Sequence, residues 1–365
     1  MKKGVIIALI VLVGGALLIL PLLKNEEDPV LTKSPVEFAQ AENVKTPLDR
    51  AIDLSLNIDN DIIKVTKLKV MCKGKLVQEW TNPGKSVTFR LTAADYGMGI
   101  HDLYFEAKDE SGEKHSDSKS FMVISDIVPE SWSIKIDDTH PHLPTSFTQG
   151  IEFYQGRLFE GTGDPGNQGK TFVSEVALST GELIAENKIE LGQPYFGEGI
   201  TVLDDKLYQI TWQNQKCFVY DVNLLAKPKI LAEFVYNGEG WGLCNNGSEL
   251  IMSDGTNRIY FRDPGSFEVK RTIEVFDHVG PKIKINELEF IDELIYANVW
   301  QQAYILVIDP NSGKVLRQID ATEAVISGRG SGEVLNGIAH NSENGKTYIT
   351  GKNWPKLFEV SFVKL

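Results

Sequence analysis

The sequence predicts an all-β chain: a five-bladed β-propeller preceded by a small immunoglobulin-like β-sandwich and an N-terminal transmembrane helix. Three observations carry that prediction. A short Gly-centred strand recurs five times beyond residue 129, at steps of 43 to 49 residues, the period of one four-stranded blade. Ahead of it, apolar residues alternate with period two between turn signals. At the amino end, residues 4–23 carry no charge.

The uncharged run comes first. Twenty helical residues rise about 30 Å, the thickness of a bilayer's hydrocarbon core. Lys2 and Lys3 precede the run; Lys24, Glu26, Glu27 and Asp28 follow it. The positive flank stays cytoplasmic. Residues 1–24 therefore read as a membrane anchor or signal sequence, with the membrane as a partner through 4–23. The expected localisation is the cell envelope, extracytoplasmic, on the periplasmic side of the inner membrane, anchored or secreted. Against cleavage, the run ends PLLKNEED, without a small-residue site. Residues 25–47 are polar, contain Pro29, Pro35 and Pro47, and read as a linker.

Residues 48–128 read as the sandwich. Ile52, Leu54, Leu56 and Ile58 share one face of a strand, as do Val87, Phe89 and Leu91, then Leu103, Phe105 and Ala107, then Phe121 and Val123. Asn82-Pro83-Gly84, Tyr96-Gly97-Met98-Gly99 and Asp109-Glu110-Ser111-Gly112 mark turns. Six or seven short strands in some 80 residues suit an immunoglobulin-like fold. His101 and His115 are expected on its surface.

Residues 129–365 read as the propeller. The repeated strands are TQGIEF (148–153), GEGITV (197–202), GWGLCN (240–245), NELEFI (286–291) and LNGIAH (335–340). Each is followed by alternating strands such as KLYQITW (206–212) and LIYANVW (294–300). The 237 residues divide into five blades of about 47. SWSIKID (131–137) is expected beside LFEVSFVKL (357–365), closing the ring so that no edge stays open.

Composition excludes some functions. The net charge is −13, from 50 acids and 37 bases. A sequence-independent grip on nucleic acid needs a basic footprint. Cys72, Cys217 and Cys244 are too few and too scattered for a disulfide scaffold or a Cys-x-x-Cys metal site. Gly163–Thr171 reads GDPGNQGKT and imitates a phosphate loop, but the required first glycine falls on Asp164 and no helix follows. Gly328–Gly332 reads as a flexible turn. His140, His142, His278 and His340 show no metal spacing, and no serine sits in a nucleophile elbow.

In a propeller the innermost strand of each blade faces the central channel. Equivalent repeat positions converge there. Those positions carry Gln149, Glu198, Glu239, Asn286, Glu287, Glu289 and Asn336, with Phe147, Phe196, Trp212, Trp241 and Trp300 beside them. Acids and amides at a centre are costly as packing, so the set points to a site. A packing role for single tryptophans and a merely hydrogen-bonded Glu198 are the bland alternatives.

Several stretches together resemble the glutaminyl-peptide cyclotransferases (glutaminyl cyclases) of the plant and bacterial type. They are FTQG (147–150), FGEGIT (196–201), the Trp212 strand, EGWGL (239–243), SDG (253–255), NELE (286–289), YANVW (296–300), IDPNSG (308–313), LNGIA (335–339) and TGKNWP (350–355). They cover nearly all of 130–365; the anchor and the sandwich lie outside. The loop 163–173 departs from the family pattern, which continues Gly-Leu-Tyr-Gly after the first Gly-Thr-Gly. The resemblance implies cyclisation of an amino-terminal glutamine to pyroglutamate with release of ammonia, on peptides or proteins bearing that residue. It implies Glu198 as the proton shuttle and Gln149, Asn286 and Lys352 as polar partners of the reacting amide. Phe147, Phe196, Trp212, Trp241 and Trp300 would bind the substrate. No cofactor is required. Plant members are associated with a structural calcium, which the sequence does not place. The alternatives are a tethered propeller that binds peptide or glycan without catalysis, and a metal-dependent lactonase-like propeller.

Overall fold

The computed structural model describes residues 35–39, 44–224 and 229–365, with a short antiparallel pairing of Leu12–Val13 and Ala16–Leu17. Most of the anchor expected at 4–23 and most of the linker expected at 25–47 lie outside the described residues. Among the described residues no helix is long and apolar enough to cross a membrane. Among the described residues the fold is all-β, with one α-helix, Thr322–Gly328.

Residues 36–124 form two sheets. One has three strands, Val36–Phe38, Ala51–Ile58 and Ser86–Thr92; the other has five, Val44–Pro47, Lys114–Ile124, Gly99–Asp109, Val65–Cys72 and Lys75–Thr81. The period-two alternation is the packing: Leu54, Leu56, Phe89, Leu91, Leu103, Phe105 and Phe121 share one apolar cluster. Val36–Phe38 and Val44–Pro47, from the stretch read as linker, pair into these sheets. His101, expected at the surface, is buried. It stands two residues before Leu103, so the alternation that turns Leu103 inward turns His101 inward as well. Its Nε2 meets the Gly97 carbonyl at 2.8 Å, and its ring packs on Phe121.

Residues 130–364 form three four-stranded sheets and one eight-stranded sheet. The four-stranded sheets begin at Thr148–Tyr154, Gly197–Leu203 and Leu243–Asn245. The eight-stranded sheet contains two runs of the same kind, opening at Ile285–Ile291 and Leu335–Asn341. Strand Glu130–Pro141 joins them. It pairs antiparallel with Lys356–Lys364, as expected for SWSIKID, and also parallel with Arg317–Asp320.

Five apolar clusters lie between successive strand groups. Phe159 and Val173 pack with Ile200 and Phe218; Ile210 and Val219 with Leu243 and Met252; Ile251 and Phe261 with Leu288 and Ile295; Ile305 and Val307 with Ile338 and Ile349; Ala339 and Tyr348 with Ile151 and Phe153. The last cluster brings the end of the chain back to the first group. The opening strands touch in the same cyclic order. The repeated glycines explain how closely they approach. A Cβ on Gly150 would lie 2.6 Å from the Ile200 nitrogen, one on Gly199 2.4 Å from the Leu243 nitrogen, and one on Gly242 2.0 Å from the Asn286 oxygen. The pairing register slips near the start of four opening strands, at Thr148/Gly150, Gly197/Ile200, Ile285/Leu288 and Leu335/Ile338. Such bulges re-aim side chains, and here they fall on Gln149, Glu198, Asn286 and Asn336.

Further along these strands three carboxyl groups are buried together. Glu152 accepts a hydrogen bond from the Thr201 hydroxyl at 2.7 Å, Glu287 from the Ile338 N–H at 2.9 Å, and Glu289 from the His340 N–H at 2.7 Å. Burial pushes Glu152 up to about 7, against its bond from Thr201. Burial and the neighbouring acids push Glu289 well above the ordinary carboxyl range, and burial does the same to Glu287. Groups raised in the folded state stabilise it fully below their unfolded value near 4.5 and lose that contribution as pH rises through the folded value. The melting temperature in chelator-containing buffer should therefore fall between pH 5.5 and pH 8. Glu152→Gln, which keeps an acceptor for Thr201, should make that fall smaller. Calorimetry showing an equal fall in both proteins would contradict this assignment.

Candidate active site

The bulged strand starts open into a pocket of about 370 Å³. The nine residues that the family resemblance assigns to the site all line it: Gln149, Glu198, Asn286 and Lys352, with Phe147, Phe196, Trp212, Trp241 and Trp300; Glu239, Glu287, Glu289 and Asn336, also expected at the centre, do not. A tenth, Glu333, was not foreseen. It follows the turn at Gly328–Gly332 and has no counterpart in the other repeats, so periodicity gives no signal for it.

Glu198 is buried, and its Oε1 accepts a 3.0 Å bond from Gln149 Nε2. Gln149 is held in turn, its Oε1 accepting from Asn336 Nδ2 at 3.3 Å. The Asn336 amide also donates to the Thr148 carbonyl at 3.0 Å. Asn286 contributes a buried Oδ1 without a hydrogen-bond partner. Its backbone oxygen accepts from the Ser253 hydroxyl at 2.7 Å, which fixes the residue against the preceding sheet.

Lys352 arrives from a tight turn after strand Lys346–Gly351. Its N–H donates to the Val334 carbonyl at 3.0 Å, and its carbonyl accepts from the Glu333 N–H at 2.8 Å. Trp354 lies against Gly351, where a Cβ would be 2.2 Å from its ring. Trp354 Nε1 donates to the Glu333 carbonyl at 3.1 Å. Its own carbonyl meets Nδ1 of buried His142 at 2.6 Å, and His142 Nε2 faces Glu160 at 3.1 Å. The turn is thus tied on both sides, and it carries Lys352 Nζ to 4.8 Å from the centre of the Phe147 ring.

The aromatic walls are arranged edge to face. Phe147 meets Phe196 at 6.3 Å, Phe196 meets Trp212 at 5.7 Å, and Trp241 meets Trp300 at 6.0 Å. Glu239, expected among the central polar groups, does not line the pocket. It braces the walls from behind: Trp212 and Trp241 donate their indole N–H groups to its Oε2 at 2.8 and 2.9 Å, and Gln213 donates to Oε1 at 3.1 Å. It stands two residues ahead of Trp241, outside the opening strand, so the repeat alignment brought it close to the centre without turning it inward.

Charge and burial work against each other here. Burial pushes Glu198 well above the ordinary carboxyl range; the Lys352 charge pulls it back and the Glu239 charge raises it further. Burial pushes Lys352 down, and Glu198 and Glu333 pull it back up. Glu239 is itself partly desolvated, yet the N–H groups of Trp241, Gln213 and Trp212 hold it below the ordinary range. The pocket therefore places a carboxyl group of raised proton affinity and a lysine between aromatic walls.

Residues 112–362 match the family described as glutamine cyclotransferase. The chain belongs to the glutamine cyclotransferase family. It is 37% identical over 234 residues to a glutaminyl-peptide cyclotransferase of Arabidopsis thaliana, covering 62% of this chain and 70% of that protein. The crystal structure of glutaminyl cyclase from Myxococcus xanthus superposes with a TM-score of 0.60 at 34% identity, covering 65% of this chain and 99% of that one. The matched span takes in every pocket residue and begins in the turn before strand Lys114–Ile124.

Removing the brace should loosen the walls and take away the least of the influences on Glu198, whose burial, the largest, remains. Glu239→Ala is expected to raise KM for a glutaminyl peptide roughly ten-fold, ~1.4 kcal/mol, with kcat changed much less. Steady-state kinetics showing lost kcat at unchanged KM would refute the brace.

Proposed function

We propose that this pocket cyclises the amino-terminal glutamine of peptides or proteins to pyroglutamate, releasing ammonia, with Glu198 as the proton shuttle. Family membership supports the reaction. The observation that carries the role of Glu198 is its position: desolvated, held by Gln149, and walled by Phe196, Trp212, Trp241 and Trp300.

The reaction joins the α-amino nitrogen to the glutamine's own δ-carbon and breaks the bond from that carbon to the amide nitrogen. The new ring has five members, so proximity is inexpensive once the residue is held bent. As the neutral amine attacks, its proton passes to the Glu198 carboxylate. The same proton then moves to the amide nitrogen, which leaves as ammonia. Glu198 ends in its starting state. Raised affinity for a proton suits both halves of this shuttle. The carbonyl oxygen gains negative charge in between, and Lys352 with the Asn286 amide are the groups placed to balance it. The aromatic walls exclude water and contact the apolar methylenes of the glutamine side chain.

Every proton and charge in this scheme is carried by the chain's own residues. The structural calcium associated with plant relatives takes six to eight oxygen ligands. Asp109, Glu113 and His115 cluster, as do Asp138, His140 and Glu359. Neither set fits calcium, because each includes an imidazole and an acid already engaged: Asp109 by Ser111 and Glu113, Glu359 by Lys346. No step is assigned to calcium.

The cyclic arrangement of strand groups supports reading them as five blades, with 36–124 as an immunoglobulin-like module. The uncharged run at 4–23, if an anchor, keeps the site outside the cytoplasm, where peptides with free amino termini would reach it.

Glu198→Gln keeps the shape and removes the shuttle. Ammonia release from Gln-Ala should drop by about 10²–10⁴ in kcat with the melting temperature little changed. Retention of near-wild-type kcat would sink the assignment.

A further inference from the structure

A second cavity of about 400 Å³ abuts the active-site pocket. The wall between them is one residue thick. Phe147 lines both cavities. Gly163, on the far side, is so close to the active-site lining that a Cβ there would lie 2.3 Å from the Phe196 ring and 3.2 Å from Gln149 Nε2. Asn353, also in the second cavity, follows Lys352 directly.

We propose that this cavity seats the side chain of the substrate's second residue and favours a large apolar one. The proposal rests on reading the first pocket as the glutamine-cyclising site. A peptide with its first residue in that pocket must send its chain out, and its second Cα lies about 3.8 Å from the first. A side chain there spans a wall of one residue. On the other flank stand Trp212 and Trp241, fixed by their bonds to Glu239.

The floor of the cavity is apolar: Leu143, Phe147, Phe172 and Leu183. Its charged lining residues are two acids, Asp164 and Glu190, and two bases, Lys170 and Lys188. Lys188 pairs with Glu190 at 2.6 Å and lies over the Phe172 ring at 4.6 Å. Asp164 accepts the N–H groups of Gln168 and Lys170 at 2.5 and 2.9 Å, which folds the 163–170 loop over the cavity. Two acids and two bases leave the lining without net charge, so buried apolar area decides what binds.

The test compares ammonia release from Gln-Phe-amide and Gln-Gly-amide. The wild-type protein should favour Gln-Phe about ten-fold in kcat/KM, the scale on which apolar pockets discriminate. Thr145 is exposed, lines the cavity and takes no part in the chemistry. Thr145→Trp should fill the space and bring the ratio within about two-fold, with Gln-Gly turnover unchanged. Leu183→Asp should lower the ratio in the same way, and Gln-Gly turnover reports that each variant is folded. A wild-type ratio near one, or one that survives both variants, overturns the subsite and leaves the cyclase reading standing. No ammonia from either peptide in the wild type overturns the cyclase reading and the subsite with it.

Discussion

The structure depends on how closely the opening strands approach one another around the ring. Gly150, Gly199 and Gly242 lie where a neighbouring backbone leaves no room for a Cβ. Any side chain there would push two strands apart and, because the groups are joined in a cycle, would strain every other contact in it. Packing between sheets holds the ring from outside, through five apolar clusters. The glycines bring the polar side chains of distant repeats within bonding reach inside it.

That proximity has an energetic consequence. Acids and amides gathered in a narrow, water-poor centre must satisfy one another or shift their protonation. Two regions result. Deep in the ring, Glu152, Glu287 and Glu289 favour their neutral forms and accept hydrogen bonds from the adjacent strands. At the bulged end, Glu198 feels the same desolvation but faces a pocket and a lysine. One architectural constraint thus produces a structural set of acids and a chemically available one, and the bulges decide which residue belongs to which.

Much of this was legible in the chain. The spacing of Gly150, Gly199, Gly242, Leu288 and Gly337 announces the repeat. Residues placed by that repeat, such as Gln149 and Glu198, come together as their shared position requires. What periodicity could not carry was orientation and the unique loops. Glu239 has a central-looking address, yet its carboxylate turns to two indole N–H groups behind the wall. Glu333 belongs to a loop found once. Glu152 sits inside TQGIEF, where alternation with Phe153 does not distinguish a buried acid from a solvated one. His101 shows the converse: polarity suggests the surface, but the alternation that places Leu103 inside places His101 inside as well.

The central claim is that burial in this ring gives Glu198 its capacity to move a proton. The most direct measurement is a carbon-13 NMR titration of the side-chain carboxyl groups in the free protein, with the Glu198 signal assigned by its loss in Glu198→Gln. The midpoint should lie well above the ordinary 4.5 and rise further in Lys352→Met, which removes the cation that stabilises the carboxylate. A midpoint at or below 4.5, or one unmoved by loss of Lys352, would contradict the account.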